Sequence, residues 1–232
     1  AGVIAYTDAA LAAKELGVEV TDDVNSSRFL SGKSILVINI HKLVNGKSVF
    51  GVGDEGSKLK ISSLIIDDAH ACIETVEDQF TINIPRKTDA YSQLHGIFRN
   101  SLRQECESKA IEIEINDPTS YMQVPYWTWQ DKISDISKKL INNKKEDCLK
   151  WVWPLVKENL KLSHCVISSS SIEISPHSIP IHMIPSLIDA DRKIFMTATL
   201  VDDSILVSHF AVSEEQIKHP IVPDSAGDVG DR

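Results

Sequence analysis

A short apolar run that ends in two carboxylates is the feature that most constrains the fold of this chain. Ser63-Leu64-Ile65-Ile66 is followed at once by Asp67 and Asp68, and then by a helical pattern over residues 69–76. Apolar runs of this length, bounded by polar residues, are typical of a strand buried on both faces. Ligands of open α/β sheets bind beyond the carboxyl ends of such strands. The acidic pair is therefore suited to hold Mg²⁺ through water near a phosphate; the alternative is a buried strand whose exit happens to be acidic.

Short strands and helices alternate along the first seventy residues. We expect a strand over residues 2–7, a helix over 9–16 closed by Gly17, and a second strand over 34–39. With the strand before Asp67, this order is the pattern of βαβ units, and it predicts a parallel sheet. Residues 51–58 nearly spell a phosphate-binding loop, but the lysine is one place late and a strand follows instead of a helix, so we interpret them as a surface loop.

The sequence contains a second apolar run that ends abruptly in polar residues. The apolar run over residues 192–196 ends in Thr197-Ala198-Thr199. Asp67-Asp68-Ala69-His70 resembles the Walker B element, or DExH box, of superfamily 2 DEAD/DEAH-box helicases, and Thr197-Ala198-Thr199 resembles their motif III. The resemblance implies an α/β fold, a RecA-like first motor domain with a mostly parallel sheet flanked by helices. It also implies that the two strands are neighbours, with the motif III hydroxyls bonded toward the acidic box.

The resemblance also implies roles for individual residues, with ATP and Mg²⁺ as cofactors. Asp67 would hold Mg²⁺ through water, and Asp68 would stand where the family has the glutamate that polarises the attacking water, one methylene shorter. His70 would contact motif III or a partner domain; the alternative is a helix-start histidine with a local hydrogen bond. Thr197, Ala198 and Thr199 would couple the ATP site to the nucleic-acid site.

Nucleic-acid contacts have two sources of candidates. The resemblance suggests Thr7, Asn39 and His41, which follow the first two strands. The residues themselves suggest a basic patch near a tryptophan-rich segment, where aromatic rings beside lysines can stack single-stranded bases. The alternative is that the tryptophans form a buried core and the lysines a solvated rim around it. The tryptophans are Trp127, Trp129, Trp151 and Trp153. The patch contains Lys138, Lys139, Lys144 and Lys145.

The resemblance predicts a division of the chain into domains. Residues 1–86 and 179–215 would form the RecA-like domain, and the long separation of His70 from Thr197 makes 87–178 a mainly helical insertion, in which alternation predicts a strand over 110–115. Residues 216–232 would be a polar linker toward a second RecA-like domain. We expect that domain and the phosphate-binding loop outside these 232 residues, so the isolated chain should hydrolyse ATP poorly.

Composition narrows the class of protein. The net charge of −9 argues against a surface coated by a polyanion, although a local basic groove is compatible with it. No apolar stretch has the length of a membrane span, and four cysteines without a CxxC pair favour free thiols in a reducing cytoplasm over zinc, a disulfide framework or an iron–sulfur cluster. The leading hypothesis is an ATP-dependent helicase or translocase acting on single-stranded DNA or RNA. The alternatives are a non-catalytic nucleic-acid or protein interaction module and an unrelated phosphate enzyme of the doubly wound class.

Overall fold

Three small sheets and a series of mostly short helices form the fold in the computed structural model, which describes residues 10–53, 59–197, 204–210 and 212–221. The strands are β1 Val20–Thr21, β2 Ile35–Leu36, β3 Ser63–Ile66, β4 Ile82–Pro85, β5 Tyr121–Gln123, β6 Ser163–Ser168, β7 Ser171–Pro176 and β8 Arg192–Phe195. The α-helices are α1 (residues 10–15), α2 Ser27–Leu30, α3 Ile40–Leu43, α4 Ala69–Gln79, α5 Asp89–Glu105, α6 Glu107–Glu114, α7 Tyr126–Asn142, α8 Asp147–Lys150, α9 Trp153–Val156, α10 Pro185–Asp189, α11 Ser204–Phe210 and α12 Glu214–Ile217. Two 3₁₀ turns cover Leu160–Leu162 and Ile181–Met183.

Parallel pairing is confined to two pairs of strands among the described residues. β1 pairs with β2, and β3 pairs with β8, although about 125 residues of chain lie between the last two. The α/β class is confirmed. Gly17 has φ +67 after α1, which is the left-handed conformation expected of a glycine that closes a helix.

The largest sheet is antiparallel and has the strand order β4-β7-β6-β5. The prediction of a mostly parallel sheet therefore needs correction. The reason is local: only Ser169 and Ser170 separate β6 from β7, and a two-residue turn joins antiparallel strands, whereas parallel strands need a long crossover. Helices α5 and α7 pack together beside this sheet. We call β4–β7 with α5–α7 the antiparallel unit.

The antiparallel unit crosses the predicted domain boundary at residue 86. Strand β4 lies before that boundary and pairs with β7 beyond it, with Ile82 opposite Ile174. Helices α5–α9 make up most of residues 87–178, as expected, but β5, β6 and β7 also lie there. The division into domains stays a prediction, and a cut at residue 86 would separate paired strands.

The strand expected over residues 110–115 is wrong, because this segment lies in α6 and the residue after it. Ala110 and Ile113, three positions apart, are buried on one face of the helix, while Ile111 and Ile115 are exposed. Over six residues, alternating isoleucines fit either periodicity, and packing against α5 decides for the helix.

Candidate functional site

The two strand ends singled out in the sequence lie side by side. β3 and β8 are parallel neighbours in which Ile66 is opposite Phe195. The pairing continues past both strands, since the Met196 amide donates to the Ile66 carbonyl (2.8 Å) and the Ala69 amide donates to the Met196 carbonyl (2.9 Å). The neighbour relation expected for these strands is thus confirmed. Met196 is therefore hydrogen-bonded to the residues on both sides of the Asp67-Asp68 turn, and Thr197 is the next residue after Met196.

Asp67 and Asp68 form a tight turn between β3 and α4, and both side chains are exposed. The Asp68 amide donates to Asp67 Oδ1 (3.0 Å). Asp68 has φ 47 and ψ 58, a left-handed conformation that non-glycine residues rarely adopt, and its side chain makes no capping hydrogen bond to α4. The turn therefore presents two carboxylates to solvent at the start of a helix.

The negative charge of this pair acts on the thiol behind it. Cys72 Sγ donates to the Asp67 carbonyl (3.4 Å). Burial, with smaller contributions from Asp68 and Asp67, raises the pKa of the Cys72 thiol. The thiol is partly buried and packs against the hydrophobic core.

His70 points along its own helix. Its Nε2 lies 3.5 Å from Glu74 Oε1, one turn further on, and both side chains are exposed. This local partner is what the alternative interpretation of His70 predicts. Of the predicted coupling residues, Thr197 is described by the structure, whereas Ala198 and Thr199 lie outside the described residues. Thr7, a predicted nucleic-acid contact, also lies outside them.

The carboxylate pair is chemically suited to Mg²⁺. The ion prefers hard oxygen ligands and is usually held by one or two carboxylates, water and phosphate oxygens. Asp67 and Asp68 supply such oxygens on adjacent residues. Across the described part of the chain, no group of three or more His, Cys, Asp or Glu is placed so that it could hold a metal ion.

One face of the β3–β8 pair is open, contrary to the expectation that β3 is buried on both faces. Ile66 is 5% exposed, but Ile65 is 60% exposed, and its opposite residue Ile194 is also exposed. Among the described residues no third strand pairs with β3 or β8, so this sheet is smaller than the parallel sheets whose strands are buried on both faces.

Asn39 and His41 begin helix α3, which packs against α4. Asn39 is the N-cap: its Oδ1 accepts from the Lys42 amide (3.1 Å), so its side chain has a structural role. His41 instead lines an open groove of about 540 Å³, together with Trp151 from the segment after α8. We call this the Trp151 groove. It lies at the C-terminal end of α4, roughly 16 Å along that helix from the acidic pair.

The tryptophans divide between core and surface. Trp129 and Trp153 are buried, whereas Trp127 and Trp151 are exposed, so neither interpretation of the aromatic segment holds for all four. Lys138 is exposed and lies 3.7 Å from Asp135 on its own helix, and Lys139 is on the same helix. The lysines that contact Trp151 are others: Lys47 Nζ and Lys150 Nζ lie 4.6 Å and 5.2 Å from its ring centroid.

Sequence reasoning missed Lys47 and Lys150. The adjacency of Lys150 to Trp151 was a usable signal for one of them. Lys47 comes from more than a hundred residues away, held there by a hydrogen bond from the Gly46 amide to the Trp151 carbonyl (2.8 Å), which no local pattern indicates.

Comparison with known proteins gives no match to a protein-family model, to a curated protein or to a solved structure. Within the described residues, none of the helices has the length and apolar character needed to cross a membrane.

Proposed function

We propose that this chain is part of an ATP-dependent nucleic-acid motor, a helicase or translocase of the DEAD/DEAH-box type. Asp67 would hold Mg²⁺ through water, Asp68 would orient the attacking water, and Thr197 would lie on the path that couples hydrolysis to the nucleic acid. ATP and Mg²⁺ would also need residues of a phosphate-binding loop and of a second RecA-like domain. Mg²⁺ supplies neutralisation of phosphate charge when bound, and the chain's own residues orient it and the water.

The single observation that supports the proposal most is the parallel pairing of β3 with β8. Two short motifs that are weak alone, and distant in sequence, have their strand ends bonded through Ile66, Ala69 and Met196. A displacement of the Met196–Thr197 segment is therefore transmitted to the turn that carries both carboxylates, which is the kind of local contact a coupled switch needs.

The test is ATP hydrolysis, measured with and without single-stranded DNA or RNA, on the whole polypeptide that the gene encodes. Asp67→Asn should lower kcat by about 100-fold or more, because a ligand of the activating metal is lost. Asp135→Asn is the matched control, an exposed carboxylate on α7. Hydrolysis in Asp67→Asn at the wild-type rate would contradict the assignment.

A non-catalytic interaction module is the second candidate, and the Trp151 groove favours it, because an exposed aromatic ring flanked by lysines suits binding without hydrolysis. The two candidates differ in one result. A module binds oligonucleotides with the same affinity in the presence and absence of ATP and Mg²⁺, whereas a motor changes its affinity with the nucleotide state.

A further inference from the structure

The Trp151 groove lies between three parts of the chain that are distant in sequence. His41 and Asn45 line one side, Thr81 and Asn83 line the β4 side, and Trp151 closes it from the segment between α8 and α9. Its volume of about 540 Å³ is within the range of sites that hold a small organic molecule. A nucleotide is a molecule of that size class, so the groove is large enough for one.

Trp151 is held in this position by its backbone. The Gly46 amide donates to the Trp151 carbonyl at 2.8 Å. A Cβ at residue 46 would lie 2.2 Å from that carbonyl oxygen and 2.9 Å from the ring of Pro154, so only glycine fits. Trp151 is nevertheless 47% exposed, which leaves an aromatic surface, anchored through its backbone, open to the groove.

The groove combines three kinds of chemistry. The Trp151 ring can stack on a base, and the ammonium groups of Lys47 and Lys150, which lie over that ring beside the groove, can bind phosphates. The Asn83 amide of the groove lining can donate to or accept from a base edge, whereas the Asn45 amide is already bonded to the His41 and Lys42 carbonyls and to the Lys47 amide. Asp78 is the acidic residue of the lining, so the phosphates of a bound strand belong at the lysine end.

We propose that the Trp151 groove binds an unpaired base and its phosphates in single-stranded nucleic acid. This deepens the proposed function, on which it rests for the identity of the ligand. In the free protein both lysines lie over the ring; on binding, a base takes a face of the ring and the displaced ammonium moves to a phosphate. Stacking on a base is stronger than an exposed cation–π contact, so the exchange is favourable. A duplex cannot use the ring, because its base faces are already stacked.

The experiment is fluorescence anisotropy of labelled twelve-nucleotide oligo(dT) and oligo(U), with a hairpin duplex as a third probe, titrated with the 232-residue chain. Trp151→Ala should weaken single-strand binding by about 5- to 150-fold, the effect of one lost stacking contact. Trp151→Phe, which keeps an aromatic face, should retain most of the affinity. Trp127→Ala is the matched control, since Trp127 is also exposed but lies outside the groove lining.

The salt dependence separates this groove from the basic patch on α7. Lys47→Gln and Lys150→Gln should each reduce the slope of log K against log salt by about 0.7, the value for one phosphate of a single strand. Lys138→Gln and Lys139→Gln should leave the slope unchanged. A wild-type affinity in both Trp151→Ala and Trp151→Phe, or a slope that depends on Lys138 and Lys139 instead, would overturn the proposal.

The groove and the motor can fail separately. Hydrolysis lost in Asp67→Asn with oligonucleotide affinity unchanged in Trp151→Ala overturns the groove alone. Hydrolysis unchanged in Asp67→Asn with affinity lost in Trp151→Ala overturns the motor alone. No binding of either oligonucleotide by the wild-type chain in low salt overturns the groove directly.

Discussion

The antiparallel unit and the β3–β8 pair are opposite in how they are stabilised. In the antiparallel unit Ile82, Ile84 and Ile172 are fully buried, and the guanidinium of Arg86 donates to the carbonyls of Ile113 and Glu114 at 2.9 Å, tying β4 to the end of α6. The β3–β8 pair has two strands and one open face. A two-stranded sheet is marginal alone, so this pair depends on neighbours. The fully buried residues and the Arg86 hydrogen bonds thus lie in the antiparallel unit, whereas the two exposed carboxylates follow a strand of the β3–β8 pair.

The largest effect should come from the core of the antiparallel unit. Trp129 is 1% exposed, stacks on Phe98 with ring centroids 6.1 Å apart, and its Nε1 donates to the Leu160 carbonyl at 3.0 Å. Trp129→Ala should lower the free energy of unfolding by about 3–5 kcal/mol, from the lost contacts and the cavity left behind. Urea unfolding followed by circular dichroism measures it.

The matched variant in the β3–β8 pair is Ile65→Ala, at an apolar residue that is 60% exposed. Its effect should stay within about 0.5 kcal/mol, because the side chain has little contact to lose. An Ile65→Ala loss as large as that of Trp129→Ala would show that the open face is covered in solution, and the contrast between the two regions would be wrong.

The sequence predicts several local elements and, through the resemblance, the pairing of β3 with β8, but it fails for the helix over residues 110–114 and for the antiparallel sheet. The apolar run before Asp67, the helix after it and the strand before Thr197 are all present, because each depends on a local pattern. The antiparallel order of the largest sheet was not predicted, although the two-residue turn at Ser169 and Ser170 was a readable signal for part of it. The exposure of Ile65 and the approach of Lys47 to Trp151 depend on tertiary packing, which leaves no periodicity in the chain.

A smaller, pH-dependent effect is expected within the antiparallel unit, where Glu114 of α6 joins two arginines of α5. Its Oε1 accepts from Arg99 Nε at 2.8 Å and its Oε2 from Arg103 Nη2 at 2.7 Å. These hydrogen bonds, with Arg99 first, lower the pKa of the Glu114 carboxyl from 4.5 to about 2. Glu114→Gln should lower the free energy of unfolding at pH 7 by about 1 kcal/mol or less, since the three side chains are partly exposed.

The sign of the pH dependence follows from the direction of this shift. A carboxyl with a lowered pKa in the folded state contributes stability that is fully present above 4.5 and is lost as the pH falls toward about 2. The difference between the wild type and Glu114→Gln should therefore shrink across that window, as measured by urea midpoints at intervals of pH. A difference that stays constant down to pH 2 would mean that the ion pairs do not form in solution.

A small effect that separates stability from function is expected at Asp68 beside the β3–β8 pair. Asp68 is in the left-handed region with no capping bond from its side chain, a conformation that costs an L-residue on the order of 1 kcal/mol and a glycine nothing.

Asp68→Gly should thus raise the free energy of unfolding by about 0–1 kcal/mol, because the relief of strain is partly offset by the greater entropy of glycine in the unfolded chain. Asp68→Ala, which keeps the left-handed backbone of an L-residue and loses no side-chain hydrogen bond, should leave it within about 0.5 kcal/mol. Both variants should lose the proposed ATP hydrolysis, so stability and activity would move in opposite directions in Asp68→Gly alone. If Asp68→Gly were less stable than Asp68→Ala, the left-handed conformation of Asp68 would not be the one that the protein adopts in solution.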